Sequence, residues 1–135
     1  MIVVDTNIIA YLTIAGEYSQ AVEEILVKDS EWVVPYLWRH EFRNVLVAYL
    51  RARRIAMPDA IYAMERADLL LLEKQFEVET ARVLELALLS KCSSYDCEFV
   101  ALAEQRRVSL VTADAPLQKA FPKIALSIED FLKSK

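Results

Sequence analysis

The chain has 135 residues, 56% of them hydrophobic and 27% charged, with a formal net charge of −4. That length and apolar share suit one domain, residues 1–135, with a real core, and exclude a disordered chain. A single glycine, Gly16, excludes the Walker loop and the dinucleotide fingerprint, each of which needs several glycines close together.

Other classes fall away on similar grounds. No apolar run approaches the ~18 residues of a membrane span. With no basic region ahead of Asp5, the N-terminus does not read as a signal peptide, so the expected compartment is the cytoplasm. Cys92 and Cys97 are not spaced as C-x-x-C and read as ordinary half-buried thiols of a reducing cell. The negative balance argues mildly against nucleic acid as a partner, unless metal ions supply the positive charge.

Ile2-Val3-Val4 is a β-branched run without polar alternation, bounded by the turn and cap formers Asp5-Thr6-Asn7. It reads as a strand buried on both faces in the middle of a parallel sheet. In such sheets ligands bind beyond the carboxyl ends of the strands, where Asp5 falls. A carboxylate there stays charged only with a partner, several donors or a metal.

Glu17 to about Lys28 carries Ala21, Val22, Ile25 and Leu26 at helical spacing and reads as the crossover helix after the first strand. Trp32-Val33-Val34 is a second strand, ended by Pro35. Residues 36 to about 54 form a helix with Trp38, Phe42, Val45, Leu46 and Tyr49 on one face. Glu41 borders that face. Either a salt bridge drawn from Arg39, His40 or Arg43 explains it, or a functional site does. Arg51, Arg53 and Arg54 complement the end of a helix dipole, or touch a phosphate backbone.

Pro58 opens a further helix to about Glu73, with an apolar face of Ile61, Met64, Leu69 and Leu72. Phe76 to Val78 reads as a third strand, and Thr80 as the cap of a helix to about Lys91. Ser93-Ser94-Tyr95-Asp96 starts another helix. Asp96 shares its side with Phe99, Val100 and Ala103, although Ser93-x-x-Asp96 also has the form of a capping box. Ser109 to Thr112 is the next buried strand. Asp114-Ala115-Pro116 then reads as an N-cap with proline in the first turn. A short helix Leu117 to Phe121, a strand Ala125 to Ile128 and a helix or tail from Glu129 complete the chain. The alternation of strands and helices means βαβ units and a parallel sheet covered on both faces.

Each acid singled out has an ordinary explanation. Together, Asp5 and Asp114 follow buried strands, Asp96 faces inward at a helix start, and Glu41 borders a buried face. Carboxylates meeting in one pocket repel and protonate unless cations join them. Hard oxygen ligands without His or Cys suit Mg²⁺ or Mn²⁺ rather than zinc. His40 points about a quarter-turn from Glu41 and is not counted as a ligand.

Val3-Val4-Asp5-Thr6-Asn7, Glu41-Phe-Arg-Asn-Val-Leu, Ser94-Tyr95-Asp96 with Phe99-Val-Ala-Leu-Ala103, and Leu110-Val-Thr112-Ala-Asp114 resemble, in order, a PIN-domain ribonuclease. The closest likeness is to the VapC toxins of VapBC toxin–antitoxin pairs. The resemblance implies a three-layer α/β/α sandwich with a central parallel sheet. It implies that Asp5, Glu41, Asp96 and Asp114 hold one or two Mg²⁺ or Mn²⁺ ions, with Asn7 and Thr112 supporting them by hydrogen bonds. It also implies endonucleolytic cleavage of RNA, frequent homodimers, and neutralisation by a small VapB-like antitoxin. The family often has a glycine just before the Leu-Val-Thr strand, where this chain has Arg106-Arg107-Val108.

Other readings keep the fold class. A PIN nuclease of RNA processing need not be a toxin, but the short length favours one. A haloacid-dehalogenase-type phosphatase needs a second acid at position 7, which is Asn7. A phosphorelay receiver wants paired acids after the first strand. A metal-binding module without activity sits badly with four retained acids.

Overall fold

The computed structural model describes residues 1–135. In chain order the elements are β1 (Ile2–Val4), α1 (Thr6–Thr13), α2 (Ser19–Lys28), β2 (Trp32–Pro35), α3 (Trp38–Arg51), α4 (Met57–Leu70), β3 (Gln75–Phe76), α5 (Thr80–Ser90), α6 (Ser94–Arg106), β4 (Leu110–Val111), α7 (Ala115–Ala120), β5 (Ala125–Leu126) and α8 (Ile128–Lys133). The five strands form one sheet in the order β3-β2-β1-β4-β5, and every neighbouring pair is parallel. With eight helices around it, this is the expected α/β/α sandwich.

β1 is the middle strand. Val3 pairs with Val33 of β2 on one side and Leu110 of β4 on the other. Both flanks and both faces of Val3 and Val4 are therefore covered, and neither residue has any exposed surface. The chain winds from β1 through β2 to β3 in one direction. It then returns past β1 to β4 and β5. The strand order thus reverses between β1 and β4, which opens a crevice at their carboxyl ends. A cluster of 31 buried apolar residues underlies this edge; Trp32, Trp38, Phe42 and Phe99 are its largest fully enclosed side chains.

Several elements differ from the sequence expectation. The crossover from β1 to β2 contains two helices, not one. The unforeseen α1 follows Asp5 directly and buries Ile8, Ile9 and Ala10. It spans only eight residues, and Ile8 to Leu12 are apolar without interruption, so no helical spacing of apolar and polar residues marks it. Ile14, in extended backbone, ends it. Ser19 Oγ then accepts from Gly16 N at 3.0 Å and donates to Tyr11 O at 2.8 Å, fixing the turn into α2.

α4 packs by a different face. Ala60, Ala63 and Ala67 are buried, whereas Ile61 is 54% and Leu69 76% exposed, and Leu72 is also exposed. Alanine lets helices approach closely, and α4 lies against both α1 and α3. A bidentate pair, Arg39 Nε and an Arg39 terminal nitrogen to the two Asp68 oxygens, each at 2.8 Å, ties α3 to α4.

Element ends shift too. α3 stops at Arg51, and Arg53 takes a left-handed φ of 57°. Thr80 is the first residue of α5 rather than its cap. β3 ends at Phe76, and β5 at Leu126 because Ser127 caps α8 by accepting from Asp130 N. Arg107, which ends α6, is left-handed at φ 57°. The C-cap of α6 therefore needs that conformation, and arginine adopts it at some cost in strain. No helix is long and apolar enough to cross a membrane.

These packing assignments separate two substitutions of similar appearance. Ile9→Ala, inside the core, is expected to cost roughly 2–5 kcal/mol in urea unfolding. Leu69→Ala, on the exposed side of α4, is expected within about 0.5 kcal/mol of the parent. Equal costs would contradict the assigned faces.

Candidate active site

The site grows from the end of β1. Asp5 N donates to Val111 O at 3.0 Å, so the sheet pairing carries through to this residue. Its extended backbone makes it the N-cap of α1, and Oδ1 accepts from Thr6 N at 2.8 Å. Oδ2 accepts from Thr112 Oγ1 at 2.6 Å and from Asn7 Nδ2 at 3.3 Å. Asp5 is only 6% exposed. It is thus a buried carboxylate held by three donors, none of which carries a charge.

The same contacts join the second strand end. Thr112 Oγ1 accepts from Asp114 N at 3.0 Å, and Asn7 Oδ1 accepts from Ala113 N at 3.2 Å. Asp114 caps α7 through its Oδ1, which accepts from Leu117 N at 3.2 Å. The cap reading of Asp114 is therefore right, and it leaves the second oxygen without a role in the cap. Asn7 and Thr112 lock the β1 and β4 termini in register with each other.

Glu41 arrives from the first turn of α3. The sequence left a salt bridge open as its explanation, and the structure contradicts that. Arg39 pairs with Asp68 instead, while Glu41 Oε1 accepts from Thr6 Oγ1 at 2.9 Å. Asp96 sits in the first turn of α6, where Ser93 Oγ accepts from its backbone N at 3.0 Å. Ser93 thus serves the capping box in one direction. None of the ion pairs in the structure involves Asp5, Glu41, Asp96 or Asp114.

The four acids feel one another. Burial raises the Asp5 carboxyl above its ordinary value, and the charges of Asp96 and Asp114 add to that. The Thr112 and Thr6 hydrogen bonds oppose the shift. Burial likewise raises Asp96, with Asp114 next in effect. Glu41 is pushed up to about 7, by burial first and then by Asp5, Asp96 and Glu98. Thr6 and Glu98 belong to this neighbourhood and were not singled out from sequence. Thr6 stood in the Asp-Thr-Asn turn, and Glu98 lies two residues past Asp96 on the same helix.

No three of these side chains stand close enough together to ligate one ion as they are placed. Mutual repulsion favours such a spread, and Asp5, Glu41 and Asp114 each lend an oxygen to a local donor. The chemistry of the set still fits a hard divalent cation. It offers carboxylate oxygens only, without His or Cys, and lacks any cationic side chain to neutralise it.

The raised Glu41 carboxyl makes stability depend on pH. Its folded value of about 7 lies above the ordinary 4.5. The folded form binds the proton more tightly, so its contribution is present below about 4.5 and is lost as pH rises through about 7. Metal-free protein is therefore expected to melt lower at pH 8 than at pH 5. Glu41→Gln should flatten that difference, as read by thermal unfolding in EDTA. An unchanged pH dependence in the variant would contradict the environment assigned to Glu41.

Comparison with known proteins agrees with this fold. The family model described as PIN domain matches residues 2–121. A search among curated proteins finds no match. Among solved structures, the chain is similar to PAE2754 from Pyrobaculum aerophilum, with a TM-score of 0.77 and 21% identity over 97% of this chain and 92% of that one. It is similar to FitAcB from Neisseria gonorrhoeae, with a TM-score of 0.73 and 15% identity over 96% and 99%. It also resembles a chain of a toxin–antitoxin complex from Klebsiella pneumoniae, with a TM-score of 0.65 and 17% identity over 95% and 98%. The chain belongs to the PIN-domain family.

Proposed function

We propose that this protein is a Mg²⁺- or Mn²⁺-dependent endoribonuclease, and the toxin of a type II toxin–antitoxin pair. The observation that carries the reading is the set of four carboxylates at one sheet edge with no cationic side chain among them. Asp5, Asp96 and Asp114 would hold the metal, with Glu41 completing the coordination or orienting the attacking water. A divalent cation supplies, when bound, a water of lowered pKa and positive charge against the scissile phosphate.

The protein's own groups do the rest. Thr112, Asn7 and Thr6 N fix Asp5, so that its carboxylate does not reorganise when substrate arrives. Glu41, in the first turn of α3, would orient the attacking water and take up its proton. The water oxygen bonds to phosphorus as the bond to the leaving oxygen breaks, and the leaving oxygen gains a proton.

The toxin assignment draws support from similarity along nearly the whole chain to a chain of the toxin–antitoxin complex from Klebsiella pneumoniae. On this reading the partner is a small VapB-like antitoxin, the enzyme works in the cytoplasm, and it acts as a homodimer. RNA is the substrate, and the acidic balance of −4 places the burden of phosphate attraction on the metal.

Purified protein incubated with total RNA in Mg²⁺ or Mn²⁺ is expected to cut it, and EDTA to stop the cutting. Asp96→Asn, which keeps shape and removes charge, should lower the rate at least about 100-fold. Cleavage by the variant at the parent rate, or equal cleavage in EDTA, would sink the assignment.

A further inference from the structure

A cavity of about 480 Å³ opens at the sheet edge beyond β2 and β3. Tyr36, Phe76, Val78, Thr80, Ser94 and Glu98 are among its lining residues. Tyr36 directly follows β2 and Phe76 ends β3, so the cavity lies at the carboxyl ends of those strands. Ser94 and Glu98 come from the start of α6 and bracket Asp96 in the chain. The cavity therefore opens on the same edge of the sheet as Asp5, displaced from β1 towards β2 and β3.

Its lining is unlike that of the acid site. Tyr36 is 55% exposed, and Phe76 is steadied by Arg106, whose guanidinium carbon lies 3.8 Å from the ring centroid. Glu98 is half-buried and enters no ion pair. It stands near enough to Glu41 for its charge to be felt there. Flat rings stack on aromatic side chains, and single-stranded RNA is read in this way. The carboxylates of Glu77 and Glu98 at the same cavity repel a phosphate and suit an occupant that offers hydrogen-bond donors. Among the four RNA bases only guanine presents two adjacent donors, N1–H and the N2 amino group, to match one carboxylate.

We propose that this cavity is a base-selecting subsite for a guanine beside the scissile phosphate, with Tyr36 stacking on the ring and Glu98 accepting from its Watson–Crick edge. The assignment deepens the nuclease reading and rests on it. The two are separable because base binding needs neither metal nor cleavage.

Two measurements on the full chain decide it. Guanosine and uridine are titrated into ¹⁵N-labelled protein without metal, for the parent, Glu98→Gln and Tyr36→Ala. Guanosine alone should shift the amides of Tyr36, Thr80 and Ser94 in the parent, and both substitutions should weaken that response. Equal shifts from both nucleosides, or none, would overturn the subsite. So would shifts from N-acetylarginine amide where guanosine gives none, which would assign the cavity to a protein partner. In parallel, RNA ends left by the parent and by Glu98→Gln are sequenced. The preference for guanine beside the cut should fall about tenfold in the variant, as expected for loss of one bidentate base contact. An unchanged preference would also overturn the proposal. Should the parent cut no RNA while guanosine still binds, the nuclease reading fails and the base site stands.

Discussion

The structure turns on one buried carboxylate. Asp5 closes the central strand, starts the first helix, and is 6% exposed, yet no cation stands beside it. Neutral donors from Thr6, Asn7 and Thr112 hold it in place without cancelling its charge. Burial of an unneutralised charge is costly, and a protein that retains one does so at a site of function more readily than in a core. The same donors link β1 to β4 through Thr112 and Ala113, so the feature that strains the fold electrostatically also fixes its two central strands.

The strand order explains why the other acids meet there. Reversal between β1 and β4 leaves a crevice that no crossover covers. Asp114 enters it from the start of α7, Asp96 from the start of α6, and Glu41 from the first turn of α3. All three therefore approach from helix N-termini, whose dipoles favour negative charge. This eases the accumulation of carboxylates but does not remove their repulsion, which persists in the raised values of Asp5, Glu41 and Asp96. On the proposed function, a divalent cation bound among them would relieve that repulsion.

Much of this was legible in the chain. Short β-branched runs at Ile2–Val4 and Trp32–Val34, each followed by helical spacing, determine a parallel sheet because they cannot be satisfied at an edge or in an alternating strand. Asp5 and Asp114 were readable because each follows such a run. Asn7 and Thr112 entered through resemblance, and the hydrogen bonds give them a physical role. What escaped was long-range or small. α1 was hidden because it is short and its run Ile8 to Leu12 is apolar on every side, leaving no amphipathic pattern to read. The buried face of α4 was misread because its alanines, not its larger residues, meet α1 and α3. The partner of Glu41 proved to be Thr6, 35 positions away in the chain, while Arg39, two residues before it, pairs with Asp68. Sequence spacing says which residues share a face, but not which of several candidates across a tertiary contact will close the bond.

The central claim is that these acids together form a site for a hard divalent cation. Calorimetric titration with Mn²⁺ of the parent, Asp5→Asn and Asp96→Asn tests it without reference to any substrate. The account predicts saturable binding by the parent that strengthens as pH rises from 5.5 to about 8, because the ion displaces protons from Glu41 and its neighbours. It also predicts binding weakened at least about tenfold in each variant. Absence of binding by the parent, or the same affinity in both variants, would contradict it.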